Sequence, residues 1–393
     1  MTDLAAAVER LREQLVDTRR DLHRNPELSF LENRTAELCA WRCEELGFTV
    51  TTGVGTPTGV VADLDGGRPG PTLMVRADID ALPIVEHGGD GRPAVSAVEG
   101  TMHACGHDGH TSIALGVASI LASVRDSWAG RLRMCFQPAE EVAGGAEPMI
   151  AGGAAEGVDS VLGIHLWSPL EAGRIGVTSG PLFGSADLFR LRVHGRGGHG
   201  GMPHTSIDPI VASAAVVSAL QTIASRETSP FAPVVVTIGK IVGGSAFNVI
   251  AEDVLLEGTV RALEQEVRER TLRRIEEIAQ SVAAAHRCSA VFERLAGCPP
   301  VVSDESMADL VRRAAVETVG AARVERAAPL TIGDDVALFL QKAPGCYFLV
   351  GAGRPGRENA PHHHPEFDID ESCLTVGVEV LTRAALAVLK PAT

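Results

Sequence analysis

His103-Ala-Cys-Gly-His-Asp-Gly-His110 places a thiol, three imidazoles and a carboxyl within one short segment. These are the side chains that hold a borderline-soft divalent cation. Gly106 and Gly109 let the backbone turn sharply enough for near neighbours to converge on one point. Upstream, Thr72-Leu-Met-Val-Arg-Ala-Asp-Ile-Asp80 is an apolar run ending in two carboxylates and reads as a buried strand feeding a site. Downstream, 111–124 is rich in Ala, Leu and Ile, lacks Pro, and reads as a helix. The cluster therefore sits on a strand-to-helix connection, where an open α/β sheet binds its ligand. A polar loop without a role is one alternative reading. A Cys105 nucleophile paired with His107 or His110 is another, but nucleophile and base normally sit on separate elements, and the crowding here suits ligation better.

Strand and helix signals alternate on either side. Residues 3–24 carry apolar positions at helical spacing until Asn25-Pro26, and a second helix runs over 31–46. Strands are expected at 59–64, 72–77, 131–136 and 158–167. This is an α/β sheet covered on both faces. The character changes at residue 184. Strand 186–193, helix 207–226, strands 234–242 and 254–261, helix 265–286 and strand 289–293 spell β-α-β-β-α-β, the ferredoxin-like unit. Helices at 306–318, 334–341 and 374–389 and a strand at 346–351 then resume the first pattern. The expected organisation is one α/β domain (1–183 and 295–393) interrupted by an inserted domain (184–294).

At 393 residues two domains are the natural expectation. With 45% hydrophobic and 22% charged residues the chain reads as globular, and a net charge of −15 argues against nucleic acid or an anionic membrane as partner. The N-terminus shows no basic segment followed by an apolar run, and no run of 18 apolar residues occurs. Cys39, Cys43, Cys135, Cys288, Cys298 and Cys346 lie in apolar contexts, irregularly spaced, as expected of reduced core residues in a cytoplasmic protein.

Further chemistry lies outside the first cluster. Glu140 and Glu141 follow a strand and Gln137-Pro138; in extended backbone neighbouring side chains point to opposite sides, so one carboxylate can ligate while the other faces a bound water. Alone, the pair also fits a solvated strand end. His165 in Leu162-Gly-Ile-His-Leu-Trp167 reads, alone, as a core histidine. His362, His363 and His364 form an internal triplet that can complete a metal site from far along the chain. The run from Arg192 to His204 is glycine-rich but lacks a dinucleotide-binding context, and reads as a loop holding His199 near a ligand. Asn248 and Arg261 suit a carboxylate, with Arg as a bidentate partner.

Together, Arg76–Pro83, His103–His110, Gln137–Glu141, Gly163–His165, Gly195–His204 and His363–Asp368 resemble the M20 metallopeptidase family, in particular its amidohydrolase branch. The resemblance spans most of the chain in order. It implies a zinc-peptidase-like catalytic domain with a mixed sheet and an inserted lid and dimerisation domain. By position, Cys105, His107, Glu141, His165 and His363 would ligate two divalent metals, with manganese or zinc expected and cobalt possible. Glu140 would be the general base, and Asp80 and Asp78 would orient ligands. His199 would stabilise the oxyanion from a partner subunit, and Asn248 and Arg261 would bind substrate. The expected reaction is hydrolysis of a small N-acyl amino acid by metal-activated water in a homodimer joined through the inserted domain. A dipeptidase or aminoacylase of the same fold, or a non-catalytic metal-binding homologue, are the alternatives. One departure is Val336 in Gly333-Asp-Asp-Val-Ala-Leu-Phe339, where the family commonly has an aromatic at a position expected on the rim of the site.

Overall fold

The computed structural model describes residues 4–88 and 92–390. Position 3, where the first helix was expected to begin, lies outside them. The chain forms two compact units, Met1–Leu182 with Val302–Ala328 and Asp335–Thr393, and Phe183–Val301 with Pro329–Asp334.

The first unit is built on an eight-stranded sheet in the order Thr49–Thr52, Val60–Asp65, Arg131–Gln137, Thr72–Asp78, Ser160–Glu171, Gly345–Gly353, Ile175–Gly176, Val324–Glu325. The four central strands run parallel, and Val60–Asp65 and Ile175–Gly176 pair against them antiparallel. The sheet is therefore mixed. Its central strands are buried on both faces, which is why they read as apolar runs without alternation. Leu73 and Val75 join one core with the helices His107–Ser123, Glu305–Val319 and Ser372–Val388. Met74 faces the opposite core with Met149 and Phe339. The register sets Asp78 opposite Gln137, so the carboxyl ends of these two strands are level.

Several boundaries differ from the sequence reading. The first helix is two, Leu4–Arg10 and Arg12–Arg24, because Leu11 N–H bonds the Val8 carbonyl at 3.0 Å, one residue tighter than an α-turn. The helix expected at 111–124 begins at His107, so His107 and His110 lie in its first turn. That start depends on Gly106, whose φ of +92° is a conformation side chains avoid. Thr49–Thr52, too polar and exposed to signal, is an additional edge strand, and Ala146–Ala151 an additional short helix.

The second unit has a four-stranded antiparallel sheet in the order Val234–Gly243, Asp253–Ala262, Ala186–His194, Ser289–Cys298. With the helices Pro209–Thr222 and Gln265–Ala285 this is β-α-β-β-α-β. Burial alternates strictly along Asp253–Ala262, and Phe189, Leu191, Val193, Val254, Leu256 and Val260 form its core with the helices. Asp208 accepts from Ile210 N–H and Pro209 opens the helix, a standard N-terminal cap. The last expected strand runs on to Cys298 past a bulge between Arg294 and Ala296. Among the described residues Pro209–Glu227 is the one helix long and apolar enough to cross a membrane by composition; Ala212, Val216 and Leu220 are packed into the core of this unit.

Candidate metal centre

The first helical turn of His107–Ser123 and the carboxyl ends of three parallel strands meet in the first unit. Cys105, His107 and His165 bring their ligand atoms within 4.8 Å of one another, as do Cys105, Glu141 and His363, and His107, Glu140 and Glu141. Cys105, His107 and His165 are buried. His107 Nδ1 lies 2.9 Å from the Asp80 carbonyl and 3.3 Å from Asp80 Oδ1, which leaves Nε2 facing the cluster. Asp80 Oδ2 in turn accepts from Ser29 Oγ at 2.7 Å and from Glu141 N–H at 3.1 Å, so one carboxylate holds both a histidine and the acidic pair. His165 Nδ1 bonds the Leu166 carbonyl at 2.7 Å while its Nε2 sits 3.6 Å from Cys105 Sγ. It is thus both a buried backbone-bonded histidine and a member of the cluster.

The glutamate pair corrects one expectation. Ala139 has φ +54°, and Glu140–Ala143 form a turn closed by Ala143 N–H to the Glu140 carbonyl at 2.7 Å. The backbone is not extended there, and both carboxylates approach the same imidazole. Glu140 Oε2 is 3.9 Å and Glu141 Oε1 3.8 Å from His107 Nε2. The strained turn is held by Glu32, which accepts from Ala139 N–H at 2.9 Å and Thr58 Oγ1 at 2.7 Å.

The other expected residues fall as follows. Asp78 bonds His110 Nδ1 at 2.6 Å and Arg76 at 2.7 Å, and His110 Nε2 accepts from Leu166 N–H at 2.8 Å. His363 Nε2 lies 3.3 Å from Glu141 Oε2, and His363 N–H bonds the Ala104 carbonyl at 2.8 Å. His362 lies 3.7 Å from Cys105 Sγ and stacks on Trp167, so two members of the triplet reach the cluster, where one was expected. In the second unit, a two-stranded ribbon pairs His199 with Val249, and Gly200 N–H bonds the Asn248 carbonyl at 2.8 Å, which brings His199 and Asn248 together. Arg261 is on the strand Asp253–Ala262, opposite Val235. Val336 is fully buried, so it is a packing residue and not part of a rim. Asp335 before it is also buried and accepts from Gln137 Nε2 at 2.7 Å and Arg76 at 3.1 Å, a link no sequence spacing signals.

The electrostatics fit a cation. His107 Nε2 and Glu141 Oε1 are buried with no hydrogen-bond partner, although only 3.8 Å apart. That separation is too long for a hydrogen bond but suits donors sharing a cation at about 2.0–2.2 Å each. Burial raises Glu141 to about 7, with His107 opposing and Asp80 and Asp78 adding to the rise. Burial also raises the Cys105 thiol well above its ordinary value. Burial pulls His107 down, but Asp78, Asp80 and Cys105 outweigh it and hold the imidazolium well above the usual range. Each of these groups must give up a proton to ligate. Divalent-metal affinity is therefore expected to rise steeply between pH 6 and 8 with protons released on binding. Calorimetry in two buffers of different ionisation enthalpy measures this.

A mixed α/β sheet with a buried S, N and O donor cluster at the carboxyl ends of its parallel strands, and a carboxylate beside it, is built as a metal-dependent hydrolase. The chain belongs to peptidase family M20/M25/M40, which it matches over residues 74–387. It is 39% identical over 366 residues to an N-acetyl-L-cysteine deacetylase of Bacillus subtilis, covering 93% of this chain and 85% of the relative. It is 41% identical over 302 residues to an N-acyl-L-amino acid amidohydrolase of Geobacillus stearothermophilus, covering 77% and 81%. Among solved structures, the YxeP protein of Bacillus subtilis, a dinuclear metal-binding M20 peptidase, superimposes with a TM-score of 0.83 at 35% identity, covering 97% of this chain and 99% of that one. The chain is a hydrolytic enzyme of amide bonds with the zinc-peptidase-like fold.

Proposed function

We propose that the enzyme cleaves the amide bond of N-acyl amino acids, giving a carboxylic acid and a free amino acid. The observation that supports this reading most is Glu140 beside the donor cluster, 3.9 Å from the orphaned His107 Nε2, next to a second carboxylate, Glu141. Binding alone needs no second carboxylate at that place. Cys105, His107, Glu141, His165 and His363 would hold two divalent cations, and the softness of the Cys105 thiolate favours zinc, with manganese or cobalt as the other candidates. Such cations, when bound, lower the pKa of water and polarise a carbonyl. Glu140 takes the proton of the attacking water and returns it to the leaving amine. Asp80 fixes the tautomer and orientation of His107. His199 donates to the developing oxyanion, and Asn248 and Arg261 receive the substrate carboxylate, Arg261 by its two-pronged fork.

His199 acts in this reading from a second copy of the chain. A homodimer through the inserted domain is supported by the exposed edge strand Val234–Gly243 and by Phe231 and Phe247, which are 92% and 103% exposed. A cytoplasmic protein acting on small molecules fits the buried cysteines, none of which is in a disulfide, and the acidic charge.

The test is a panel of N-acetyl, N-benzoyl and longer N-acyl amino acids with unacylated dipeptides, followed by release of the free amino acid. Faster cleavage of the N-acyl series is expected. Cleavage confined to dipeptides with a free amine would overturn the substrate assignment.

A further inference from the structure

Arg19 is a fully buried cation that contacts none of the candidate ligands. Its Nε lies 2.9 Å from Asp108 Oδ2, an ion pair without the alignment of a hydrogen bond. Its other nitrogens reach Asp368 Oδ1 at 3.2 Å and Glu371 Oε1 at 3.4 Å. Asp108 is also bonded by His23 Nδ1 at 2.8 Å and by Gly109 N–H at 2.9 Å. Asp368 is bonded further by Arg354, and Glu371 by Arg20 at 2.7 Å.

These carboxylates belong to two segments of the metal centre. Asp108 directly follows His107 in the segment that carries Cys105 and His107. Asp368 and Glu371 lie just beyond His363, the candidate ligand supplied from the far end of the chain. Besides the backbone bond between His363 and Ala104 and the contact of His362 with Cys105 Sγ, the guanidinium ties these two segments together. A fork of fixed geometry with donors toward both sides sets a distance, which a flexible ammonium cannot do.

We propose that Arg19 is a positioning residue for metal binding, setting the separation between the Cys105–His107 segment and the His363 segment. The proposal rests on the metal-centre reading given above. Loss of the tie loosens the donor set without removing a donor, so metal affinity falls while the chemistry at saturating metal is kept. Outer contacts of this kind change metal affinity by about tenfold or more.

The test uses the full chain, stripped with chelator and titrated with Co2+ alone, with the thermal midpoint of the stripped protein recorded alongside. Arg19→Lys keeps the charge and loses the fork. Asp368→Asn weakens the His363 side, where Glu371 alone then holds Arg19, and leaves the Asp108 pair intact, so it remains informative if Arg19→Lys fails to fold. Asp63→Asn, at an ion pair with Arg133 in the sheet, is the control. The expected result is a Co2+ dissociation constant at least about tenfold higher in Arg19→Lys, raised in Asp368→Asn, and unchanged in Asp63→Asn, with kcat recovered at saturating Co2+. Unchanged Co2+ affinity in Asp368→Asn and in folded Arg19→Lys, or a lowered midpoint with normal affinity in the folded fraction, would overturn the proposal and leave the metal centre standing. Wild-type protein that binds no Co2+ would instead overturn the metal centre and, with it, this role.

Discussion

Glu140→Gln is expected to lower kcat by about 10²–10⁴-fold, the usual worth of a positioned general acid–base, with metal content unchanged. The amide of glutamine keeps the size and hydrogen-bonding shape of the side chain but cannot accept the proton of water at neutral pH. Metal retention follows if Cys105, His107, Glu141, His165 and His363 form the donor set, since Glu140 is then not needed for ligation. Glu141→Gln separates the roles of the two neighbours, because it should lower metal affinity as well as turnover. Metal analysis and kcat measured on the same preparations decide the matter. If Glu140→Gln loses metal and Glu141→Gln does not, the two assignments are exchanged.

The largest expected effect on stability lies at Asp335. Asp335→Ala is expected to destabilise the first unit by about 3–5 kcal/mol, the range for breaking a buried ion pair by removing one partner. Asp335 is fully buried and binds Gln137 Nε2, Arg76 and Ala146 N–H. Arg76 keeps Asp78 and the Gln137 side-chain Oε1, which places the cost toward the lower end. Because Arg76 and Gln137 lie in the last residues of the two strands that deliver Asp78 and the glutamate turn, the loss should also be felt at the metal centre. The comparison is Asp65→Ala, which breaks an ion pair with Arg131 that is largely exposed, and should cost no more than about 1 kcal/mol. Urea unfolding with unchanged slope and a lowered midpoint for Asp335→Ala alone is the expected pattern. Equal midpoints for the two variants would show that the buried network contributes no more than a surface pair.

Both the donor cluster and the inserted unit were legible in the sequence, for different physical reasons. The Cys105 to His110 spacing is local, and ligand chemistry with glycine turns leaves few other readings. The antiparallel strands of the second unit alternate between core and solvent, so their period could be read directly, whereas the parallel strands of the first unit could be read only as apolar runs bounded by turns. What stayed hidden was non-local or conformational. The left-handed Ala139 that turns Glu140 and Glu141 toward one imidazole carries no glycine signal; it is enforced by Glu32, far upstream. The Asp335 bond to Arg76 joins residues hundreds of positions apart. Arg19 looked like one basic residue of an amphipathic helix, and nothing in its spacing shows that it is fully buried against carboxylates from two distant segments of the chain. His165 read as an ordinary core histidine when taken alone, because its backbone bond and its place in the cluster use different ring nitrogens.

The central claim is that the cluster around Cys105 and His107 holds two divalent cations and that amide cleavage depends on them. The most direct measurement strips the protein with chelator, restores zinc, manganese or cobalt, and follows bound metal and N-acyl amino acid hydrolysis in the same samples. Hydrolysis that is lost on stripping and returns as occupancy approaches two per chain is the predicted result. Full hydrolysis by metal-free protein, or no metal bound at any of the three additions, would contradict the account.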